Sequence, residues 1–115
     1  MHTLATRRCR PRTKESDLLS MAAINEMLYE LDGWMPNDEG SRIQRSFHFK
    51  DFYQTMAFIN AVAWVAQQQD HHPDMQVSYN HCQIHYTTHS TGGVTENDLI
   101  CAAKINSLLD SNATA

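Results

Sequence analysis

Two periods alternate along the chain. Over residues 15–31, Leu18, Met21, Ala22, Leu28 and Leu31 recur at three and four, with Ile24 and Met27 alongside, which predicts a helix. Ser16 or Asp17 can cap its start, and Gly33 lies just past its end. Trp34 opens a new element, and residues 36–40 (PNDEG) are turn chemistry. The period then drops to two. Ile43, Phe47 and Phe49 share one side and Gln44, Ser46 and His48 the other, a half-buried strand whose apolar face Arg45 interrupts. Residues 50–69 return to helical spacing, with Phe52, Met56, Ile59, Ala63 and Ala66 as a stripe that Tyr53, Phe58, Val62 and Val65 widen. Asp51 is placed to cap this helix, and Pro73 forbids its continuation, so His71 and His72 sit where it ends.

Val77 and Tyr79 mark a short strand, and Asn80-His81 a turn. Cys82, Ile84 and Tyr86 then alternate with Gln83, His85 and Thr87. After a loop at 88–93, Thr95 and Asp98 form a capping box with aspartate in place of glutamate. It opens a last helix with a stripe of Leu99, Ala102, Ala103 and Leu109, flanked by Ile100, Cys101, Ile105 and Leu108. That flank suits assembly against a second helix. The order is helix, two strands, helix, two strands, helix. Hairpin-linked strands with helices between them predict an α+β two-layer sandwich: a four-stranded antiparallel sheet with three helices on one face.

Composition adds limits. The 115 residues suffice for one domain, and 42% hydrophobic and 19% charged residues are ordinary for a globular chain. A net charge of -4 argues against nucleic acid as a direct partner. No apolar run approaches the ~20 residues of a membrane span. Five of the nine basic residues lie between Arg7 and Lys14, ahead of the first acid, Glu15. This leader resembles an organelle transit peptide. The plainer reading is a flexible basic tail over residues 1–14, followed by a single domain over residues 15–115. Its removal is expected to leave the domain's activity and assembly unchanged. Cys9, Cys82 and Cys101 are odd in number and widely spaced, which argues against a disulfide framework or a thiolate zinc cage and for a reducing, cytoplasmic compartment.

Five of the seven histidines fall between residues 70 and 91. His85 and His89, four apart on an extended segment, would stand about 13 Å apart at ~3.3 Å per residue, too far to share an ion whose ligands sit at ~2 Å. No carboxylate or thiol completes a recognisable metal spacing, so metal is the lesser reading, left to a site assembled in three dimensions from His71, His72 and His89. His2, His48, His81 and His85 read as surface residues. Proton transfer suits His71, His72 and His89, because imidazole exchanges protons near neutral pH. The first two lie at a helix C-terminus, whose dipole favours imidazolium. The third lies on a loop, and Asp98 could orient it as well as cap the last helix.

These residues resemble the pterin-4a-carbinolamine dehydratase family. His71-His72-Pro73, Tyr79, Thr88-His89, Gly93 and Asp98 follow its pattern without a gap: five residues separate Pro73 from Tyr79, nine Tyr79 from His89, and eight His89 from Asp98. Trp34, Arg45, Phe47, Phe49, Asp51, Phe52 and the Ala102-Ala103 pair fit as well, so the resemblance covers about residues 15–110. It implies dehydration of 4a-hydroxytetrahydropterin to quinonoid dihydropterin, in the tetrahydrobiopterin cycle that serves aromatic amino acid hydroxylases. It implies no metal or organic cofactor, and a homodimer or homotetramer. His71, His72 and His89 become the catalytic residues, with Asp98 in support. The Thr88–Ser90 backbone would hold the flat pterin edge by hydrogen bonds.

Two positions depart from the pattern. Gln67 stands where most members carry an acid, with Asp70 nearby as a substitute, and Met75 stands where many place an aromatic wall for the ring. The alternative on the same fold is a non-catalytic dimerisation module of the transcription-cofactor kind.

Overall fold

The computed structural model describes residues 3–114, with side chains over residues 4–109. Helices α1 (Met21–Leu28), α2 (Phe52–Gln69) and α3 (Glu96–Thr114) accompany strands β1 (Met35–Pro36), β2 (Ile43–His48), β3 (Asp74–Val77) and β4 (His81–Tyr86). The strands form one antiparallel sheet in the order β1-β2-β4-β3. Ile43 pairs with Tyr86, Phe47 with Cys82, and Met75 with Ile84. This register puts the apolar halves of the alternating strands on one face. Ile43, Phe47, Cys82, Ile84 and Tyr86 are buried there, while Ser46 and His48 on the other face are exposed. The two-layer α+β sandwich is the architecture that the alternation predicts.

The long helix behaves as its ends dictate. Asp51 accepts from the Gln54 N–H, and α2 stops at Gln69 because Asp70 turns left-handed at φ 51°. Its buried stripe is Thr55, Phe58, Ile59, Val62, Val65 and Ala66. Phe52, expected in that stripe, is half exposed and stacks on exposed Tyr79 with the ring planes 14° apart. Thr55 takes the inward place one turn on, where its hydroxyl donates to the Asp51 and Tyr79 carbonyls.

Three further expectations differ from the structure. The first helix does not run through residues 15–31: a 3-10 turn at Glu15–Asp17 precedes α1, which starts only after Ser20. Ser20 accepts from the Ala23 N–H, and the Leu19 N–H donates to the Val94 carbonyl, so the chain is tied to the last loop before it can coil. The flank of α3 offered for helix assembly is not available, because Ile100, Cys101 and Ile105 have no exposed area. All three belong to the core cluster, and α3 packs against both α2 and the 3-10 turn at Thr3–Thr6.

The basic segment is the third difference. It lies on the body rather than apart from it. Thr3–Thr6 forms a 3-10 turn. Leu4 is 2% exposed within the core cluster, and Lys104 donates to the Ala5 carbonyl at 2.7 Å. Farther along, Arg12 is 8% exposed, with its Nε donating to Asn97 at 3.0 Å. An apolar residue at position 4 and a polar clamp at position 97 together hold what composition alone reads as a tail. Arg45 also finds a role that its apolar strand face hides. It lies over the Phe47 ring at 4.6 Å and donates to Asn106 and to the Asp32 carbonyl. Gly33, at φ 82°, leaves the space for it, since a Cβ there would stand 2.5 Å from the Arg45 Nε.

Candidate active site

The site is assembled where α2 ends, β4 ends and α3 begins. The left-handed Asp70 bends the chain back, and the His71 N–H returns to the Ala66 carbonyl at 3.1 Å. Aspartate tolerates this conformation better than most side chains do. Pro73 then fixes the exit. The turn delivers the His71 imidazole to Asp98, Nε2 to Oδ1 at 2.6 Å.

Asp98 is the third residue of α3 and fully buried. Its second oxygen, Oδ2, accepts from the Thr95 N–H and from the Thr88 hydroxyl, both at 2.9 Å. The Thr88 and Thr95 hydroxyls share a further bond at 2.8 Å. With Thr88 donating to the carboxylate, Thr95 donates to Thr88. One carboxylate therefore closes the capping box of α3 and holds His71. Three donors converge on a group that only accepts, so the His71 proton sits on Nε2 and Nδ1 is left for exchange. The ring cannot swing away, because it stacks on Tyr86 at 5.3 Å with planes 11° apart. The Tyr86 phenol donates to the His71 carbonyl at 3.3 Å, and burial pushes its pKa far above the ordinary phenol value, so it stays a donor.

His71 is 12% exposed at its side chain, while His72 and His89 are exposed. All three line one cavity of about 220 Å³, with Asp70, Thr88 and Ser90 among its other walls. Gln67 and Met75 do not line it. Gln67 is exposed on α2, and Met75 sits opposite Ile84 and packs against the core. The Thr88 hydroxyl is engaged with Asp98, and its backbone N–H donates to the Gly93 carbonyl. The Ser90 hydroxyl donates to the Arg12 carbonyl at 2.6 Å. Both hydroxyl protons are thus committed within the protein.

Sequence reading missed Tyr86 as the ring that steadies His71, Thr95 as part of the carboxylate network, and residues 9–13 as a wall. Tyr86 carried a signal, since a phenol at the inward end of a strand needs an acceptor when buried. The wall carried none, because its partners lie 60 or more residues away. Among the described residues no cluster of three or more His, Cys, Asp or Glu side chains is arranged to hold a metal ion. Cys9 and Cys101 lie with sulfurs 3.6 Å apart; their shared hydrogen bond lowers the Cys9 pKa and raises that of Cys101.

Fold and site together define a small α+β sandwich protein with a carboxylate-held imidazole and two further histidines on one cavity. The family description for pterin 4 alpha carbinolamine dehydratase matches residues 17–108. The chain belongs to that family, which supports a pterin dehydratase (lyase) role. A Nitrosospira multiformis protein named "Putative pterin-4-alpha-carbinolamine dehydratase" is 52% identical over 105 residues, covering 91% of each chain. A Stenotrophomonas maltophilia protein with the same name is 45% identical over 107 residues, covering 93% of this chain and 92% of its own. A crystal structure from Brucella melitensis, described as a transcriptional coactivator/pterin dehydratase, superimposes with a TM-score of 0.76 at 41% identity, over 79% of this chain and 97% of that one. A pterin dehydratase-like RuBisCO assembly factor of the alpha-carboxysome, at 22% identity and TM-score 0.57, shares the fold.

Proposed function

We propose that this chain dehydrates 4a-hydroxytetrahydropterin to quinonoid dihydropterin by histidine acid–base catalysis. The observation that carries the reading is the meeting of His71, His72 and His89 on one cavity, with Asp98 fixing the first of them. The elimination needs two proton transfers. An acid protonates the hydroxyl on C4a, and the C–O bond breaks to release water. A base takes the proton from N5, and the N–H electrons form the C4a=N5 bond. His71, through Nδ1, and His89 flank the reacting edge, one as acid and the other as base. His72 exchanges protons with solvent. A well-placed transfer of this kind is worth about 10²–10⁴ in rate.

The cycle served is tetrahydrobiopterin recycling beside an aromatic amino acid hydroxylase, in the cytoplasm, where three free thiols are at home. No helix among the described residues is long and apolar enough to cross a membrane. The protein acts as a homo-oligomer. The unpaired edge of β3 and the exposed Phe52, Tyr53, Val77 and Tyr79 beside it supply the contact surface. Turnover of freshly generated 4a-hydroxytetrahydrobiopterin tests the reading. A rate no faster than spontaneous dehydration would favour the non-catalytic module instead.

A further inference from the structure

Residues 9–13 lie outside the stretch that the family description matches, yet they wall a second cavity of about 300 Å³. It shares Asp70, His71, Thr88 and Ser90 with the histidine cavity, so His71 borders both. The wall is held at three points. Asn97, 5% exposed, accepts from the Arg10 N–H at 3.2 Å and donates to the Arg10 carbonyl at 2.6 Å. The Ser90 hydroxyl donates to the Arg12 carbonyl, and Gln69 accepts from the Cys9 N–H at 2.8 Å. The end of α2, the loop after β4 and the first turn of α3 each contribute one side chain. The same three pieces carry the histidines and Asp98.

The two arginines differ. The Arg12 guanidinium is buried, bonded to Asn97 and 3.9 Å from Glu96. Arg10 lines the cavity with an exposed side chain, and no hydrogen bond or ion pair engages its guanidinium among the described residues. The formal charges on the lining are Arg10 and Arg12 against Asp70. Glu96 is shared by Arg7 at 3.1 Å and Arg12 at 3.9 Å, and Asp70 makes no ion pair with Arg10, so Arg10 is the guanidinium on this lining without a carboxylate partner among the described residues.

Pterin chemistry says what lies next to His71. The proton is lost from N5, and C6, which bears the ring's substituent, is bonded to N5. A C6 substituent thus leaves the ring one atom from the reacting nitrogen. A cavity that shares His71 with the reacting one lies within reach of that substituent. We infer that the cavity walled by residues 9–13 is the subsite for the C6 substituent, and that Arg10 selects substituents ending in an anion, a phosphate or a carboxylate. This rests on the dehydratase reading above.

The test compares kcat/KM for three 4a-hydroxytetrahydropterins that differ only at C6: a neutral hydroxyalkyl group, the same group phosphorylated, and a carboxyalkyl group. A partly exposed charge pair supports a preference of about fivefold for the anionic substrates, shrinking as salt shortens the screening length. Arg10→Gln should bring the anionic-to-neutral ratio to about one, and Arg10→Glu should invert it. Arg8→Gln, the same charge change on an arginine that lines neither histidine cavity, should keep the wild-type ratio. A wild-type ratio near one, or equal shifts from the Arg8 and Arg10 variants, would overturn the subsite while the dehydratase reading stands. Turnover of none of the three would overturn both. The phosphate and carboxylate arms identify which anion the cavity takes.

Discussion

Asp98→Asn keeps the shape of the central carboxylate and removes its charge. The carboxylate accepts from three donors: the His71 Nε2–H, the Thr95 N–H and the Thr88 hydroxyl. Asparagine has one acceptor oxygen. Facing that oxygen to Thr95 and Thr88 leaves no buried donor orphaned there, so the amide NH₂ turns to His71. The imidazole can accept at Nε2 only by moving its proton to Nδ1. The fold loses charge assistance but little else, about 1–3 kcal/mol by the usual worth of a charged hydrogen bond. The reaction loses the free Nδ1, and turnover should fall by about 10²–10⁴, the worth of a positioned acid or base. Asp98→Ala strands the Thr95 N–H as well, for a total of about 3–5 kcal/mol. Urea unfolding reads the stability difference, nitrogen-15 NMR of the imidazole reads which nitrogen is protonated, and pterin turnover reads the chemistry. An asparagine variant that turns over at the wild-type rate with the proton on Nδ1 refutes the role given to that nitrogen.

Other outcomes follow from the same geometry. His71→Ala and His89→Ala should each lower dehydration by about 10²–10⁴ while the unfolding midpoint stays within reach of wild type, and normal turnover in both would remove the assignment. Leu4→Ala should cost about 2–4 kcal/mol in urea unfolding, because Leu4 is 2% exposed in the core, and deletion of residues 1–14 should lower both stability and activity. An unchanged midpoint would show the segment detached in solution. Thiol labelling of the folded protein near pH 8 should mark Cys9 first, since its pKa is lowered while burial pushes Cys82 up to about 11; equal labelling of all three cysteines would count against the pairing. Above pH 9 the unfolded chain sheds the Cys82 proton that the folded chain keeps up to about 11, so stability should fall as pH rises through that window in titrated urea melts.

Much of the site was legible because its signals are short-ranged. Asp51 caps the long helix and Pro73 bars its continuation, which places His71 near its end, although the stop itself is made by the left-handed Asp70. The spacing from Thr95 to Asp98 gives the cap, and the histidine pattern gives the family. Gln67 and Met75 misled, because spacing cannot say which side of a helix or strand faces a cavity three elements away. Gln67 points to solvent and Met75 to the core.

From residue order alone came the alternating strands, the caps of the two long helices, the inward parity of Ile43, Phe47, Ile84 and Tyr86, and the three candidate histidines. Each depends on neighbours within a few positions, where backbone geometry couples residues directly. The fold, in contrast, gives Asp98 to His71 rather than to His89 and the cap of α1 to Ser20. Only the folded chain decided that the flank of α3 is interior, that Phe52 yields its place to Thr55, and that the basic segment walls a cavity at His71. Those outcomes depend on which surfaces stay uncovered once sheet and helices have packed. Asn97 can meet Arg10, 87 residues earlier, only after that packing has brought them together.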